Sequence, residues 1–329
     1  MPRAWTLASR PQGLPTLDDF TLVETPALSL GEGQVRIRNR WLSVDPYMRG
    51  RMNDVKSYVP PFQIGAPMDG GAIGEVVESN APGLAAGDLV QHMAGWRDEA
   101  VVVAKDANKL PAIGAEPQAF LGQLGMPGMT AYWGLLAITE AKPGDIVFVS
   151  AAAGAVGSTV VQLAKAKGMT VIGSAGGADK CEWVRSLGAD AVIDYKSGTP
   201  LVKALAAAAP DGIDVYFDNV GGDHLDAAIA HARAHARFAI CGMIDIYNSA
   251  EPTSLRYLAR VIGLRIRLQG FIVSDFMARA GEFHAEMGAL TAAGKLRREE
   301  TVFEGLERTP DAFLALFSGG NKGKMLVRM

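Results

Sequence analysis

The sequence predicts an α/β protein of two domains, in which a mostly β domain accompanies a doubly wound parallel sheet covered by helices. Its 329 residues are enough for two domains with sizeable cores. Up to about residue 125 the apolar segments are short and often alternate with polar residues, whereas from about residue 126 apolar strands and helices follow one another in turn. The last thirty residues return to the first texture. We therefore expect residues 1–125 and 299–329 to form the β domain, and residues 126–298 the doubly wound domain.

Composition and charge narrow the class of protein. Hydrophobic residues make up 49% of the chain and charged residues 20%, as in globular proteins. The formal net charge of −3, without long runs of either sign, argues against binding to nucleic acid or to an anionic membrane. No apolar stretch has the length of a membrane span, and the N-terminus lacks the apolar core of a signal peptide, so we expect a cytoplasmic protein. Cys181 and Cys241 lie too far apart to indicate a disulfide framework or a cysteine zinc site.

The β domain is predicted from alternation. In residues 35–41 apolar or amide side chains alternate with arginines, which is typical of a strand with one buried face. Further strands are predicted at residues 72–78, 88–93 and 100–103, between turns rich in Gly, Pro and Asn. Residues 43–52 are too irregular for a strand. The long Pro- and Gly-rich loop that follows carries Tyr58, and long structured loops are more often functional than merely connecting.

The doubly wound domain is predicted from a change of rhythm. Ile146–Val149 forms a continuous apolar run typical of a strand buried on both faces, and a helical pattern then runs to Gly168. The remaining predicted strands are residues 170–173, 191–194, 213–217, 237–241 and 264–271, and the remaining predicted helices are residues 130–138, 178–187, 201–209, 223–231, 253–262 and a long helix with an apolar stripe from Phe276 to Leu290. Six strand candidates interleaved with helices are the number in a complete dinucleotide-binding domain. In the closing segment we expect strands at 301–303 and 325–328 around a helix at 311–317.

The turn after Val149 is the first candidate binding site. Gly154 lets the chain turn, and Gly157 would let the first turn of the helix approach a pyrophosphate, whose charge suits a helix N-terminus. With Ala155 and Val156 between them, these residues form an AxxGxxG-like pattern rather than the full GxGxxG. Taken alone, the pattern is also compatible with a glycine-rich turn in another kind of α/β protein.

The end of the second strand selects between two nicotinamide cofactors. An acidic residue there binds the ribose 2′-hydroxyl of NAD, and its absence beside a cation suits the 2′-phosphate of NADP. Residues 171–177 contain no carboxylate, and Lys180 follows shortly after. We expect Lys180 to bind the 2′-phosphate of NADPH, with a solvated lysine in the first turn of a helix as the alternative.

Several segments, in this order and spacing, resemble one enzyme family over nearly the whole chain. They are WLSVDPYMRGRM (41–52), LGMPGMTAYWGLL (124–136), SAAAGAVGS (150–158), DYK (194–196), YFDNVGG (216–222), CGMIDIYN (241–248) and GNKGKMLVRM (320–329). The chain is similar to the zinc-independent branch of the medium-chain dehydrogenase/reductase superfamily, which includes prostaglandin reductases, plant alkenal double-bond reductases and bacterial curcumin reductases. The resemblance implies a GroES-like catalytic domain beside a Rossmann domain, and a homodimer.

The resemblance also implies roles for particular residues. Tyr247 matches the tyrosine that the family places near the reacting carbonyl. The implied cofactor contacts are Gly154, Ala155, Val156 and Gly157 at the pyrophosphate, Lys180 and Tyr195 at the 2′-phosphate, Asn219, Cys241 and Gly242 along the cofactor, Phe271, Ile272 and Val273 at the nicotinamide side, and Asn321 from the closing segment. The substrate cleft is implied to be lined by Tyr47, Tyr58 and Met126. For Tyr247, a partly buried tyrosine satisfied by backbone is the alternative.

A departure from the zinc alcohol dehydrogenases bears on the chemistry. Where those enzymes carry a Gly-His-Glu metal motif, residues 65–70 read GAPMDG, and their four-cysteine lobe is absent. The five histidines show no spacing typical of metal ligands. We therefore expect no metal site, and without a Lewis acid conjugate reduction is favoured over alcohol oxidation.

The favoured reaction is hydride transfer from NADPH to the β-carbon of an α,β-unsaturated ketone or aldehyde, with a small enone or enal as substrate. Tyr247 would donate a hydrogen bond to the carbonyl oxygen as negative charge develops there. A quinone oxidoreductase is the alternative among enzymes, and a protein that binds NADPH without turnover is the alternative outside them.

Overall fold

The computed structural model describes residues 1–249 and 251–329. It divides into two compact units, the first formed by Met1–Leu121 with Glu300–Met329 and the second by Gly122–Glu299. The division predicted after residues 125 and 298 lies close to these bounds. The chain thus leaves its first unit once and returns to it for the closing segment.

The helices and strands are numbered in chain order. The strands are β1 (Arg3–Leu7), β2 (Phe20–Glu24), β3 (Gln34–Ser43), β4 (Ala72–Ser79), β5 (Leu89–His92), β6 (Glu99–Val103), β7 (Asn108–Lys109), β8 (Ile146–Val149), β9 (Thr170–Ala175), β10 (Ala191–Asp194), β11 (Ile213–Asp218), β12 (Ala232–Ile240), β13 (Arg267–Gly270), β14 (Glu300–Glu304) and β15 (Lys324–Arg328). The α-helices are α1 (Met48–Arg51), α2 (Met126–Trp133), α3 (Ala155–Ala166), α4 (Ala178–Ser186), α5 (Leu201–Ala208), α6 (Gly222–Ala230), α7 (Arg260–Leu264), α8 (Ala280–Ala292) and α9 (Thr309–Phe317).

The first unit is built on a sheet in the order β14-β15-β3-β4-β5-β7, with β6 paired to β3, and on a separate antiparallel pair, β1 and β2. The predicted alternation in β3 is confirmed, since Val35 and Ile37 are fully buried while the arginines between and after them are not. The core includes Trp96, which stacks on Phe20 at 5.7 Å between ring centroids and meets the edge of Phe313 at 5.8 Å. The closing segment supplies both Phe313 and two strands of this sheet.

The second unit is the predicted doubly wound sheet. Its strands run in the order β10-β9-β8-β11-β12-β13, and each neighbouring pair is parallel. The order reverses between β8 and β11, which makes this the switch point of the sheet. Val147, Phe148 and Val149 are fully buried because helices cover both faces of the sheet.

Two predicted elements of the second unit are wrong or shorter in the structure. The helix predicted at residues 253–262 is limited to α7, because the buried carboxylate of Asp226 accepts hydrogen bonds from the Tyr257 backbone N–H at 3.0 Å and the Arg256 side chain at 2.7 Å. These bonds hold the chain in another path before α7. The strand predicted at 264–271 is reduced to β13, since Arg265 takes a left-handed conformation with φ of 52°.

Other predicted elements differ at their ends. The helix predicted at 130–138 begins earlier, as α2, and continues as a π-helical turn over Gly134–Ile138. The long helix predicted from Phe276 begins as a 3-10 segment, Val273–Arg279, before α8. Phe283 and Met287 of its stripe are fully buried, as predicted. Within the described chain, no helix is both long and apolar enough to cross a membrane.

Candidate cofactor and active site

The predicted cofactor residues of the second unit follow the carboxyl ends of its strands. Gly154 follows β8, Tyr195 follows β10, Asn219 follows β11, Cys241 follows β12 and Phe271 follows β13. In open parallel sheets the carboxyl ends at the switch point form the edge that binds ligands. The fold therefore brings these residues to one edge of one sheet, although they span more than a hundred positions of the chain.

The turn after β8 is a tight cap on α3. Gly154 is the residue before the first helical position, and Ala151 adopts a left-handed conformation with φ of 48°. Gly157 is buried, and a Cβ atom there would collide with the backbone of Ala151 and Ala152. Its small size is thus required for packing α3 against the turn, and its predicted role beside a pyrophosphate stays a prediction. The half-buried Ala155 and Val156 stand in the first turn of α3, where backbone N–H groups have no partner inside the helix.

Two lysines and a tyrosine lie near the end of β9. A Cβ atom at Gly176 would be 2.6 Å from the Tyr195 hydroxyl oxygen and 3.0 Å from Cε of Lys196. Lys180 lies in the first turn of α4, where burial and then the charge of Lys196 lower the pKa of its ammonium group. The structure therefore identifies Lys196 as a second candidate cation for the 2′-phosphate, beside Lys180. Its position in the segment DYK (194–196), next to the predicted Tyr195, could have indicated it from the sequence.

Asp194 fixes this corner. Its Oδ1 accepts hydrogen bonds from the backbone N–H groups of Gly177 and Lys196, both at 2.9 Å, and these bonds lower the pKa of the carboxyl. Tyr195 meets the ring of His224 edge-on at 5.3 Å. Burial lowers the pKa of His224 to about 4, so its imidazole is neutral near pH 7. Asp194 thus fixes the backbone of Lys196, and the neutral His224 packs against the ring of Tyr195.

Asn219 is held by the end of β8. Its backbone N–H donates to Ser150 Oγ at 2.9 Å, and its side-chain Nδ2 donates to the Ser150 carbonyl oxygen at 2.8 Å. The N–H groups of Cys241 and Gly242 donate to the Asp218 carbonyl oxygen at 2.9 and 3.0 Å. Burial raises the pKa of the Cys241 thiol to about 12, so this cysteine is not a thiolate nucleophile near pH 7.

Tyr247 ends a short 3-10 turn, Ile244–Ile246, and is half-buried. Its hydroxyl oxygen accepts a hydrogen bond from the Met243 backbone N–H at 3.3 Å. A Cβ atom at Gly242 would lie 3.2 Å from the same oxygen. The phenol is therefore fixed beside the loop after β12, and because a hydroxyl both accepts and donates, this backbone contact is compatible with donation to a substrate.

The ring of Phe271 packs against Gly134, a residue that the sequence analysis did not identify. A Cβ atom at Gly134, in the π-helical turn, would overlap the rings of both Phe217 and Phe271, and these rings meet edge-on at 6.3 Å. The segment containing Ile272 and Val273 follows directly and is half-buried. A π-helical turn is rare and often marks a functional site. It indicates a role for Gly134, but it is visible only in the structure and not in the sequence.

The other predicted site residues are divided between the two units. Tyr47, Tyr58 and Asn321 belong to the first unit, whereas Met126 begins α2 of the second unit and is 37% exposed. The pKa of Tyr47 is raised by burial and then by Asp45, whereas Tyr58 is 62% exposed. Asn321 Nδ2 donates to the Gly323 carbonyl oxygen at 3.0 Å.

No metal site is evident in the described chain. Among residues 1–249 and 251–329, no three His, Cys, Asp or Glu side chains are grouped so that they could hold a metal ion. His92, the histidine of β5, bonds to Asn39 Oδ1 at 2.9 Å and to the Ala94 backbone N–H at 3.1 Å. Burial lowers the pKa of His92 to about 4, which fits a neutral structural histidine.

Comparison with known proteins places the chain in a family. Residues 3–110 match the model of the N-terminal domain of oxidoreductases, and residues 155–291 match the model described as zinc-binding dehydrogenase. The chain is 44% identical to the NADPH-dependent curcumin reductase of Escherichia coli over 99% of this chain and 96% of that protein. It is 41% identical to the NADP-dependent 2-alkenal reductase of Nicotiana tabacum (90% of this chain, 88% of that protein) and 38% identical to prostaglandin reductase 1 of Mus musculus (99% and 98%).

A solved structure agrees with these relatives. The crystal structure of CurA from Vibrio vulnificus in complex with NADPH superposes with a TM-score of 0.93 at 42% identity, covering 99% of both chains. Such agreement over the whole length confirms the predicted fold class, a GroES-like domain and a Rossmann domain, and defines a pyridine-nucleotide oxidoreductase. The chain belongs to the medium-chain dehydrogenase/reductase superfamily, in the branch that contains the curcumin, 2-alkenal and prostaglandin reductases.

Proposed function

We propose that this protein is an NADPH-dependent reductase that reduces the C=C bond of α,β-unsaturated ketones and aldehydes. The observation that carries the proposal is the full-length similarity to the curcumin reductase, joined to a strand-end site of matching chemistry. The 2-alkenal and prostaglandin reductases support the same class of reaction. Small enones and enals are therefore the expected substrates.

The residues of the second unit fit NADPH. The end of β9 carries no carboxylate, and burial and then the charge of the neighbouring Lys196 lower the pKa of Lys180. Two neighbouring cations repel each other and suit a dianionic phosphate, so Lys180, Lys196 and Tyr195 would hold the 2′-phosphate. Backbone N–H groups from Gly154 to Val156 would hold the pyrophosphate at the start of α3, with Gly157 allowing that helix to pack.

The remaining cofactor residues would position the nicotinamide half. They are Asn219 after β11, Cys241 and Gly242 after β12, and the segment Phe271–Val273 after β13. When bound, NADPH supplies the hydride that the β-carbon accepts. Asn321 of the first unit completes the cofactor contacts that we propose, and Tyr47, Tyr58 and Met126 are proposed to contact the substrate.

Tyr247 would stabilise the charge that the reduction creates. Hydride addition at the β-carbon moves negative charge onto the carbonyl oxygen, and a phenol that donates a hydrogen bond there acts most strongly in the transition state. The bond from the Met243 N–H to the Tyr247 hydroxyl oxygen fixes the phenol and polarises its O–H group for donation. Tyr247 is therefore proposed as the catalytic residue.

The proposal extends to the setting of the enzyme. We place it in the cytoplasm as a homodimer that works without zinc, with the first unit as the catalytic domain and the second as the NADPH-binding domain. Residues 65–70 carry aspartate as their sole metal-binding side chain, where zinc alcohol dehydrogenases have His and Glu.

The test of the function follows NADPH absorbance with a panel of enones, enals and quinones. Turnover of enones and enals with little turnover of quinones supports the proposal. Quinone turnover alone would identify a quinone oxidoreductase, and tight NADPH binding without turnover would identify a binding protein; either result overturns the proposal.

Zinc independence has a direct test. Dialysis against EDTA should leave the rate of enone reduction unchanged, since the described residues offer no metal ligand set. Metal analysis of the untreated protein serves as the control. Loss of activity that zinc restores would contradict the proposed mechanism.

A further inference from the structure

A buried carboxyl at the switch point collects hydrogen bonds from the ends of two strands. Oδ1 of Asp218 accepts from the Tyr216 hydroxyl at 2.7 Å, from the backbone N–H groups of Val220 at 2.9 Å and Gly221 at 2.8 Å, and from Ser150 Oγ at 3.3 Å. The Asp218 carbonyl oxygen accepts two further N–H groups from the chain after β12. Asp218 thus joins β8, β11 and β12 at the edge where the cofactor is proposed to bind.

The second oxygen of this carboxyl is unusual. Oδ2 is fully buried and has no hydrogen-bond partner among the described residues. Leaving a buried acceptor unsatisfied costs about 1–3 kcal/mol, so such atoms are rare in native proteins and call for a reason. An apolar residue would avoid the cost but would leave the N–H groups of Val220 and Gly221 without this acceptor.

Hydrogen bonds connect Asp218 to the turn that carries Asn219 and, through that turn, to the loop that carries Tyr247. Ser150, which contacts Asp218 Oδ1, also accepts the Asn219 backbone N–H and so fixes the turn that carries Asn219. The same turn holds the Tyr247 loop, because the Asn219 carbonyl oxygen accepts from the Ile244 N–H at 3.4 Å and the Val220 carbonyl oxygen from the Asp245 N–H at 3.2 Å.

Glycines close the contact between these two turns. Gly221 and Gly222 have φ angles of 77° and 50°, which other residues rarely adopt. A Cβ atom at Gly221 would lie 3.0 Å from Met243 Cγ, and one at Gly222 would collide with the Asp245 carboxylate. The backbone of the turn after β11 therefore packs closely against the Met243 and Asp245 side chains of the loop after β12, and a shift in one moves the other.

We propose that Asp218 is a positioning residue for hydride transfer, which sets Asn219 and the Tyr247 hydroxyl relative to each other by fixing the two turns to the end of β8. This inference rests on the proposed function of Asn219 and Tyr247. Asp218 has no exposed surface at which a cofactor or substrate could contact it, so its effect would pass through the backbone of the two turns. A change of about 1 Å in a reacting geometry can lower the rate by about a hundredfold, so modest loosening is measurable.

The test compares two substitutions at the same buried cluster. Asp218→Asn retains one acceptor oxygen but replaces the carboxyl by an amide, which weakens the bonds from the Val220 and Gly221 N–H groups. Tyr216→Phe removes one bond to the same oxygen and leaves the backbone bonds from Val220 and Gly221 in place, and so serves as the matched control. We expect Asp218→Asn to lower kcat for an enone by at least about tenfold and to weaken NADPH binding by about two- to tenfold. Tyr216→Phe should change neither by more than about twofold.

A kinetic isotope effect separates positioning from general loosening. With NADPH deuterated at the transferred position, the isotope effect on kcat should rise in Asp218→Asn, because hydride transfer becomes slower than the other steps. Ser150→Ala, which removes the acceptor for the Asn219 N–H, should show the same signature and provides the result if Asp218→Asn fails to fold. Normal kcat, isotope effect and NADPH affinity in Ser150→Ala, or in a folded Asp218→Asn, would overturn the inference.

The inference and the proposed function can fail separately. If the unmodified protein reduces no enone, the proposed function fails. The NADPH affinities of the variants, measured by fluorescence titration without substrate, then still decide whether Asp218 holds the cofactor turns. Affinities that match the unmodified protein would overturn the inference in that case.

Discussion

The loop of residues 44–62 in the first unit and the strand-end turns of the second unit are held by opposite kinds of side chain. In the loop, cationic side chains bind backbone carbonyl oxygens: Arg10 binds those of Met52 and Phe62 at 2.9 and 3.2 Å, and Arg51 binds that of Pro60 at 2.9 Å. In the turns, short acceptors such as those of Asp218 and Asp194 bind backbone N–H groups instead.

The difference follows from which backbone groups lack a hydrogen-bond partner within the regular structure of each region. Turns that lead into helices present N–H groups, which carboxylates accept, whereas an irregular loop presents carbonyl oxygens, which arginines reach over a longer distance. Short acceptors fix a turn closely. The long arginine side chains bind only the ends of the loop. Its middle is solvent-exposed, with Val55 57% and Tyr58 62% exposed. We therefore expect changes in the second unit to alter catalysis sharply, and changes around the loop to alter stability or substrate affinity.

The largest effect is expected where the loop joins its sheet. Lys324 is 4% exposed, and its ammonium group donates to Asp45 Oδ1 and to the Val44 carbonyl oxygen, both at 2.9 Å. Lys324→Met would leave the Asp45 carboxylate buried without its cation and should lower the free energy of unfolding by about 3–5 kcal/mol, measured by urea titration. Lys109→Met, which breaks an exposed pair with Asp88, is the control and should change little. Equal effects would show that the buried pair is not the anchor.

The next effect tests the proposed chemistry of the second unit. Tyr247→Phe keeps the ring and removes the hydroxyl, so kcat/KM for enones should fall by about ten- to a thousandfold while NADPH affinity barely changes. Tyr257→Phe, a phenol after the Tyr247 loop that packs in the core, is the matched control and should retain activity. If Tyr247→Phe turns over enones at the unmodified rate, Tyr247 is a packing residue held by its backbone contact.

Cofactor choice should show an intermediate effect. Lys180→Ala should raise KM for NADPH by about ten- to a hundredfold and leave KM for NADH nearly unchanged, because a charge-assisted bond to phosphate contributes about 1.5–3 kcal/mol. Lys196→Ala should act in the same direction. Lys203→Ala on the exposed side of α5 provides the control. Equal changes for NADPH and NADH would place Lys180 away from the 2′-phosphate.

The smallest effect concerns the turn before α3. Ala151 has a φ of 48°, which an L residue adopts at a cost that glycine avoids. Ala151→Gly should therefore stabilise the protein by up to about 1 kcal/mol, after allowance for the greater freedom of glycine in the unfolded chain. Ala204→Gly in the middle of α5 should destabilise it by about the same amount. Differential scanning calorimetry measures both, and a lower melting temperature for Ala151→Gly would contradict the argument.

Much of the fold could be predicted from local sequence pattern. The apolar run Ile146–Val149, the helix that follows it and the missing carboxylate at the end of β9 are properties of neighbouring residues, and all are present in the structure. They suffice for a doubly wound sheet and for a preference between the two cofactors, because strand and helix periods report which side of a local segment is buried. The family resemblance then added the roles of particular residues, which remain predictions to be tested.

Contacts between distant residues were decided only by the tertiary structure. The sequence determined that a strand, a turn and a helix would follow one another after residue 145, but not that Gly157 would pack against Ala151 or that Gly134 would seat Phe271. The failure of the helix predicted at 253–262 has the same origin, since Asp226 captures its N-terminal half from about thirty residues away. The hydrophobic period of a segment predicts only which of its faces is buried. Whether a backbone N–H bonds to a distant carboxylate, or whether a position has room for a Cβ atom, depends on which other segment packs there.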